Sequence, residues 1–230
     1  MKLETPQNFV QKLRVNPSAS QKFGLILLLC FAQLLLSAFA PTTRQGDVLS
    51  LLVLVVLVPI VVRLAGASRK LVIAGWFILG IGIGAAALGQ LINAPHFVLV
   101  AYYVMQLVVQ LFIAYVIMRE LKNHPDMTVQ SIFAASSLYV MIGIVFARFY
   151  AVIQAVTGEP FFAAARPIVA SDFTYYSFVT LTTIGYGDVT AATEVGRIFS
   201  IIEAIIGSLY LVTVVALIVS NVRPAHKTSH

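Results

Sequence analysis

Between Leu71 and Met118 the chain runs 48 residues without a single Asp, Glu, Lys or Arg. A helix rises ~1.5 Å per residue and the hydrocarbon layer of a bilayer takes ~20 residues to cross, so this run is too long for one crossing. Asn93, Pro95 and His96 interrupt it near the middle and divide it into two spans. Residues 23–43 and 48–62 are also uncharged and give one span each. A fifth begins after Pro125 and Asp126 and extends to about Ile153, and a sixth covers about Gly196 to Val222. The expected fold is an all-α integral membrane protein with six transmembrane helices. Only 10% of the residues are charged, against roughly 25% in soluble domains. The net charge of +6 is scattered between apolar runs and forms no basic patch with interleaved aromatics, which argues against a nucleic-acid partner. Cys30 is the only cysteine, which excludes an internal disulfide and a thiolate metal site.

Lys and Arg concentrate in short cytoplasmic loops. With the N-terminus inside, Lys2, Lys12, Arg14, Lys22, Arg63, Arg69, Lys70, Arg119, Lys122, Arg223 and Lys227 lie inside, eleven of the fifteen basic residues. Both termini are therefore expected in the cytoplasm, in the plasma or inner membrane of the cell. Ala38-Phe39-Ala40 has the small-x-small form of a signal-peptidase site, but Pro41 follows it at a position that cleavage tolerates poorly, so the first span reads as a retained helix.

One stretch breaks the pattern. Thr182-Thr183-Ile184-Gly185-Tyr186-Gly187-Asp188 places turn-forming residues between apolar segments. Irregular backbone survives at membrane depth only where protein or water satisfies it. Residues 172–182 suit a half-length helix with Asp172 as its N-cap, too short to cross. The expectation is a re-entrant helix descending from the outer face and residues 183–187 returning outward as an extended ribbon. Gly185 and Gly187 permit positive φ, which turns successive carbonyls to one side. One such ladder cannot dehydrate a cation, so several copies must surround an axis.

Residues 182–188 resemble the selectivity-filter signature of tetrameric potassium channels, in which carbonyls replace the ion's hydration shell. The resemblance is close over about the last hundred residues, and the first four spans are read from hydropathy alone. It implies a homotetramer assembled about a four-fold axis and passive, potassium-selective conduction. Thr183 would contribute hydroxyl and carbonyl, and Ile184, Gly185, Tyr186 and Gly187 their carbonyls, to K+ sites. Tyr175, Tyr176, Thr182 and Asp188 would support the filter. Tyr186 would turn its ring from the axis to brace against the pore helix. A tyrosine pair, Tyr175 and Tyr176, stands where many members have tryptophans, and Val179 replaces a buried glutamate found in some members, which puts any carboxylate pair with Asp188 in doubt. The resemblance implies no cofactor and no metal besides the permeant K+. The alternative within the class is a poorly selective monovalent cation channel.

The implied organisation is a cytoplasmic segment 1–22, a four-helix accessory domain 23–118, a linker 119–127, a pore domain 128–222 with pore helix 172–182, filter 183–187 and inner helix 196–222, and a tail 223–230. Gly207 lies where the family places an inner-helix hinge, although close packing against a neighbouring helix explains it as well. Leu211, Val215 and Val219 follow it one turn at a time and are candidates for an apolar gate. Glu203 is an ionisable group inside a span, and Arg148 falls at a similar depth on the fifth helix. An Arg148–Glu203 ion pair is one reading, and the other gives Glu203 hydrogen bonds from Ser177 or Thr180 while Arg148 reaches outward to water.

Residues 98–118 carry no basic residue, so the fourth span is not expected to act as a voltage sensor. Gln106 and Gln110, one turn apart, mark a helix-helix or cavity-facing side, and Gly80 and Gly84 a small-residue contact face. Phe9, Val10 and Leu13 suit a short helix on the inner membrane surface. His96, His124, His226 and His230 read as solvated loop residues. No HExxH, GxSxG or P-loop pattern occurs, and the acidic residues and histidines converge on no span, so an enzyme is not expected.

Overall fold

The computed structural model of the chain describes residues 17–39, 44–64, 68–92, 94–123, 129–163 and 166–221. Among these residues lie seven helices: α1 Pro17–Phe39, α2 Arg44–Leu64, α3 Arg69–Leu91, α4 Pro95–Asn123, α5 Val129–Thr157, α6 Ala170–Leu181 and α7 Glu194–Asn221. Two short strands, β1 Phe162–Ala163 and β2 Thr190–Ala191, pair antiparallel. Three helices are long and apolar enough to cross a membrane among the described residues, within His96–Lys122, Ser131–Thr157 and Glu194–Val214. The chain is thus a multi-pass membrane protein. The expected surface turn at Phe9, Val10 and Leu13, and His124, His226 and His230, fall outside the described residues.

The helices overrun the uncharged runs. α1 begins at Pro17 rather than residue 23, α2 covers 44–64 rather than 48–62, and α4 continues through Arg119 and Lys122 to Asn123. Continuing the helix keeps backbone groups paired near the headgroups, while long basic side chains reach for water. The break near residue 93 lies where α3 ends at Leu91 and α4 opens on Pro95, whose missing N–H would be unpaired in a first helical turn anyway.

α5 is the hub, packing against α4, α1, α6 and α7, while α3 packs on α4 and α2 on α1, α3 and α4. Within the chain, α1 and α4 therefore pack directly on α5, and α2 and α3 reach it through them. Ile26, Val62, Leu79, Val109, Ile117 and Met141 are buried in the larger core. A second core of aromatic rings fills the opposite end of α5, where Tyr150, Phe161, Phe162, Phe173 and Tyr176 are buried together. Tyr150–Phe161 and Phe162–Phe173 have ring centroids 4.8 and 5.0 Å apart, within the range of tilted and edge-on aromatic contacts.

The glycine contact face differs from the one expected. A Cβ on Gly80 or Gly84 would meet nothing within 4 Å, whereas one on Gly82 would lie 2.1 Å from Met105 Sδ. Gly82 is the residue that lets α3 and α4 approach, because its side of α3 faces α4 and the Gly80/Gly84 side does not. Gln106 and Gln110 take the helix-helix option: both are buried, and neither carboxamide has a hydrogen-bond partner among the described residues.

Candidate pore and filter

α6 has twelve residues, about 18 Å of helix, too short to cross the hydrocarbon. It starts at Ala170 rather than 172, because Val169, in extended conformation, is the N-cap. Asp172 is the third helical residue rather than the cap, and its Oδ2 accepts the Val169 N–H at 2.8 Å. Arg166 grips the same carboxylate with both terminal nitrogens, at 2.9 and 2.6 Å. Burial of Asp172 acts to raise its carboxyl pKa, but the bonds from Arg166 and Val169 outweigh it and hold the group below its usual value. A group depressed in this way stabilises the fold above its unfolded pKa, roughly 3.9, and the benefit is lost as pH falls through the lower folded value. The wild type should accordingly lose a thermal-stability increment at acid pH that Asp172→Asn lacks throughout, read as unfolding temperature against pH.

At the C-terminal end of α6 the backbone turns out of the helix while keeping its bonds. The amides of Thr182, Thr183 and Ile184 donate to the carbonyls of Phe178, Thr180 and Val179 at 3.0, 2.9 and 3.0 Å, and Thr182 Oγ1 donates to Phe178 O at 2.6 Å. Leu181 O accepts the Tyr139 hydroxyl at 3.3 Å. The α6 C-terminus carries the negative end of the helix dipole, which favours a cation beyond it.

Residues 183–187 form neither helix nor strand. Thr183, Gly185 and Gly187 have φ of 59°, 58° and 76°. Every second residue of this stretch is left-handed. For Thr183 the conformation costs roughly 1–2 kcal/mol. The two glycines were expected to adopt it, but the threonine carries no signal for positive φ in its identity. Residues 182–188 are all exposed in the single chain.

Of the two tyrosines expected to support residues 183–188, Tyr175 meets that segment. Its ring lies parallel to that of Tyr186, centroids 6.4 Å apart with an interplanar angle of 5°, and its hydroxyl donates to Asp188 Oδ2 at 2.9 Å. Asp188 thus has a phenol for a partner. Tyr176, about 100° further round the helix, faces away from the filter into the aromatic core, with its hydroxyl 2.6 Å from Ser200 Oγ on α7.

Behind the filter α7 begins at Glu194 rather than 196, because Thr193 caps it, accepting the Gly196 N–H at 3.1 Å. Gly207 is buried, and a Cβ there would lie 2.5 Å from the Leu181 carbonyl oxygen. The structure thus gives this glycine the close-packing role. Leu211 is exposed in the single chain, while the Val215 and Val219 side chains lie outside the described residues. β1 and β2 were not anticipated. Phe162 faces Ala191 and Ala163 faces Thr190, and Ala192 N donates to Phe161 O at 2.8 Å, joining the segment before α6 to the segment after Asp188.

The Arg148–Glu203 ion pair is replaced by another arrangement. Glu203 is fully buried and accepts the Tyr150 hydroxyl at 2.6 Å while touching Ser177 Oγ. Arg148 lies on the side of α5 toward Tyr102 and Tyr103 of α4, and its Nε is buried with no hydrogen-bond partner among the described residues. Positions 148 and 150 of one helix point about 200° apart, so equal depth did not mean a shared face. The ion pair found in this region is Arg166–Asp172.

A family model described as an ion channel matches residues 161–223, from the first residue of the aromatic turn before β1 to just past the end of α7. These residues make up an ion-channel pore domain, and a channel is not an enzyme. No curated protein and no solved structure matches the chain.

Proposed function

We propose that this chain is the subunit of a homotetrameric potassium channel that conducts K+ passively across the plasma or inner membrane, six helices crossing per subunit and both termini in the cytoplasm. The observation that carries the reading is the alternation of φ along Thr183–Gly187 within a TTIGYGD sequence. Thr183 lends hydroxyl and carbonyl, and Ile184, Gly185, Tyr186 and Gly187 lend carbonyls, to a row of sites that strip water from the ion. Tyr175, Thr182 and Asp188 hold that ribbon from behind and above.

Assembly follows from the same ribbon. An exposed row of peptide oxygens at membrane depth requires polar company, and the apolar side chains of Ile198, Ile201, Ile205, Leu209 and Val212 around α7 are uncovered in one chain. Three further copies about an axis supply both needs, leaving Leu211, Val215 and Val219 as the stretch that closes the inner cavity, with Gly207 packed against the end of α6 above it. α1 to α4 form an accessory domain without gating charge, since α4 holds basic residues only at Arg119 and Lys122 in its last turns. Reconstituted full-length protein with K+ on one side and Na+ on the other should show a reversal potential near that of K+. A reversal potential near zero would instead assign a poorly selective cation channel.

A further inference from the structure

Glu203 is completely buried, on a helix facing α5 and α6, and no cation is paired with it among the described residues. Isolated carboxylates are excluded from such surroundings unless they are paired or neutral. The oxygens around it allow its proton to be counted. Ser177 Oγ lies 2.7 Å from Gly143 O and within hydrogen-bond distance of Glu203 Oε1. A serine hydroxyl has one proton, and a backbone carbonyl has none. If that proton goes to Gly143 O, the Ser177–Glu203 contact needs another, and only the glutamate can bring it. Were it directed at the glutamate instead, Ser177 and Gly143 would face each other as two bare oxygens. Tyr150 already donates its own proton to Glu203 Oε2, so it cannot serve Ser177.

A neighbouring pair shows the same count closing without help. Ser200 Oγ gives its proton to Gly196 O at 2.7 Å, and Tyr176 supplies the one for the Tyr176–Ser200 contact at 2.6 Å. The corresponding position beside Ser177 is occupied by a carboxyl group.

We infer that Glu203 is held as the neutral acid, its Oε1–H donating to Ser177 Oγ, and that this proton completes a clasp joining α7 to the pore helix and, through Ser177–Gly143 and Tyr150, to α5. Glu203 is a positioning residue: it touches no filter atom, but fixes the helix whose end carries the filter. The groups facing it are Tyr139 and Tyr150 from α5 and Ser177 from α6. None of them is a cation. Loss of the proton leaves Ser177 with two acceptors and one hydrogen, so the clasp keeps either its link to α7 or its Ser177–Gly143 link to α5, not both. The protonation assignment stands on the oxygen geometry, and only its consequence for conduction rests on the channel reading above.

The test is infrared difference spectroscopy of the full chain in liposomes, with glutamate carboxyl carbons 13C-labelled. At pH 8, where solvent-exposed carboxyls are ionised, the wild type should retain one acid carbonyl stretch that shifts on glutamate labelling and vanishes in Glu203→Gln. That variant, whose amide N–H replaces the acid proton, should unfold at the same temperature as the wild type near neutral pH and should lack a stability loss on alkalinisation that the wild type shows. Absence of a labelled acid band in the wild type, or its persistence in Glu203→Gln, overturns the inference. If Glu203→Gln fails to fold, the labelled wild-type band decides alone. Neither readout requires flux, so a chain that conducted no K+ would refute the channel reading and leave this assignment standing or falling on its own spectrum.

Discussion

Gly185→Ala is expected to abolish K+ flux in liposomes to the level of empty vesicles while leaving the protein folded. A Cβ at this position would meet nothing within 4 Å, so the substitution is not rejected by crowding in the single chain. It is rejected by the backbone: φ is 58°, a conformation that costs an L-residue roughly 1–2 kcal/mol more than glycine. In the proposed four-fold assembly that cost would fall on all four subunits at one level of the proposed filter. The cheapest relief is to rotate residue 185 out of the left-handed region, which turns the adjoining carbonyls off the axis. Circular dichroism and size-exclusion profiles should match the wild type, because the strain sits in five residues outside every helix. Retained selective flux in Gly185→Ala would contradict the carbonyl ladder itself.

Gly207→Ala should act on stability rather than on the filter backbone. The new methyl would lie 2.5 Å from Leu181 O and 2.7 Å from Leu181 Cδ1. The first contact is with backbone, which cannot swing aside as a long side chain would. α7 and the end of α6 must separate, and overpacking of this kind costs typically 1–3 kcal/mol. Tyr139, whose hydroxyl donates to the same Leu181 carbonyl, and Tyr210, whose hydroxyl donates to Ala135 O at 2.6 Å, resist the separation from the α5 side. A drop of several degrees in the unfolding temperature of the solubilised protein is the expected result. An unchanged temperature would return Gly207 to the role of a free hinge.

Much of the fold could be read from the chain because lipid permits few solutions: a long uncharged run must be helix, and a polar interruption must face protein or water. Asn93–His96 gave the α3–α4 break on that ground. The site was legible where conformation follows from residue type, as at Gly185 and Gly187, and illegible where it follows from neighbours. Thr183 is left-handed at the turn out of α6, where its N–H bonds Thr180 O, although its residue type does not favour that conformation. β1 and β2 hold two residues each and have no period to detect. Glu203 and Arg148 were matched by depth and charge, but a helix also has an azimuth, and the two-residue step from Arg148 to Tyr150 points the polar groups of α5 at different partners. Gly82 taught the same lesson on α3, where spacing suggested one face and contact used another.

The small ladder between Phe162–Ala163 and Thr190–Ala191 closes residues 164–189 into a loop whose two ends are held side by side. The short helix and the turn that follows it both hang from that one pair of strands, reinforced by the Ala192 N–H bond to Phe161 O just beyond them. A change that parts the two strands therefore unmoors both limbs at once, at a place outside the segment whose glycines give the turn its shape.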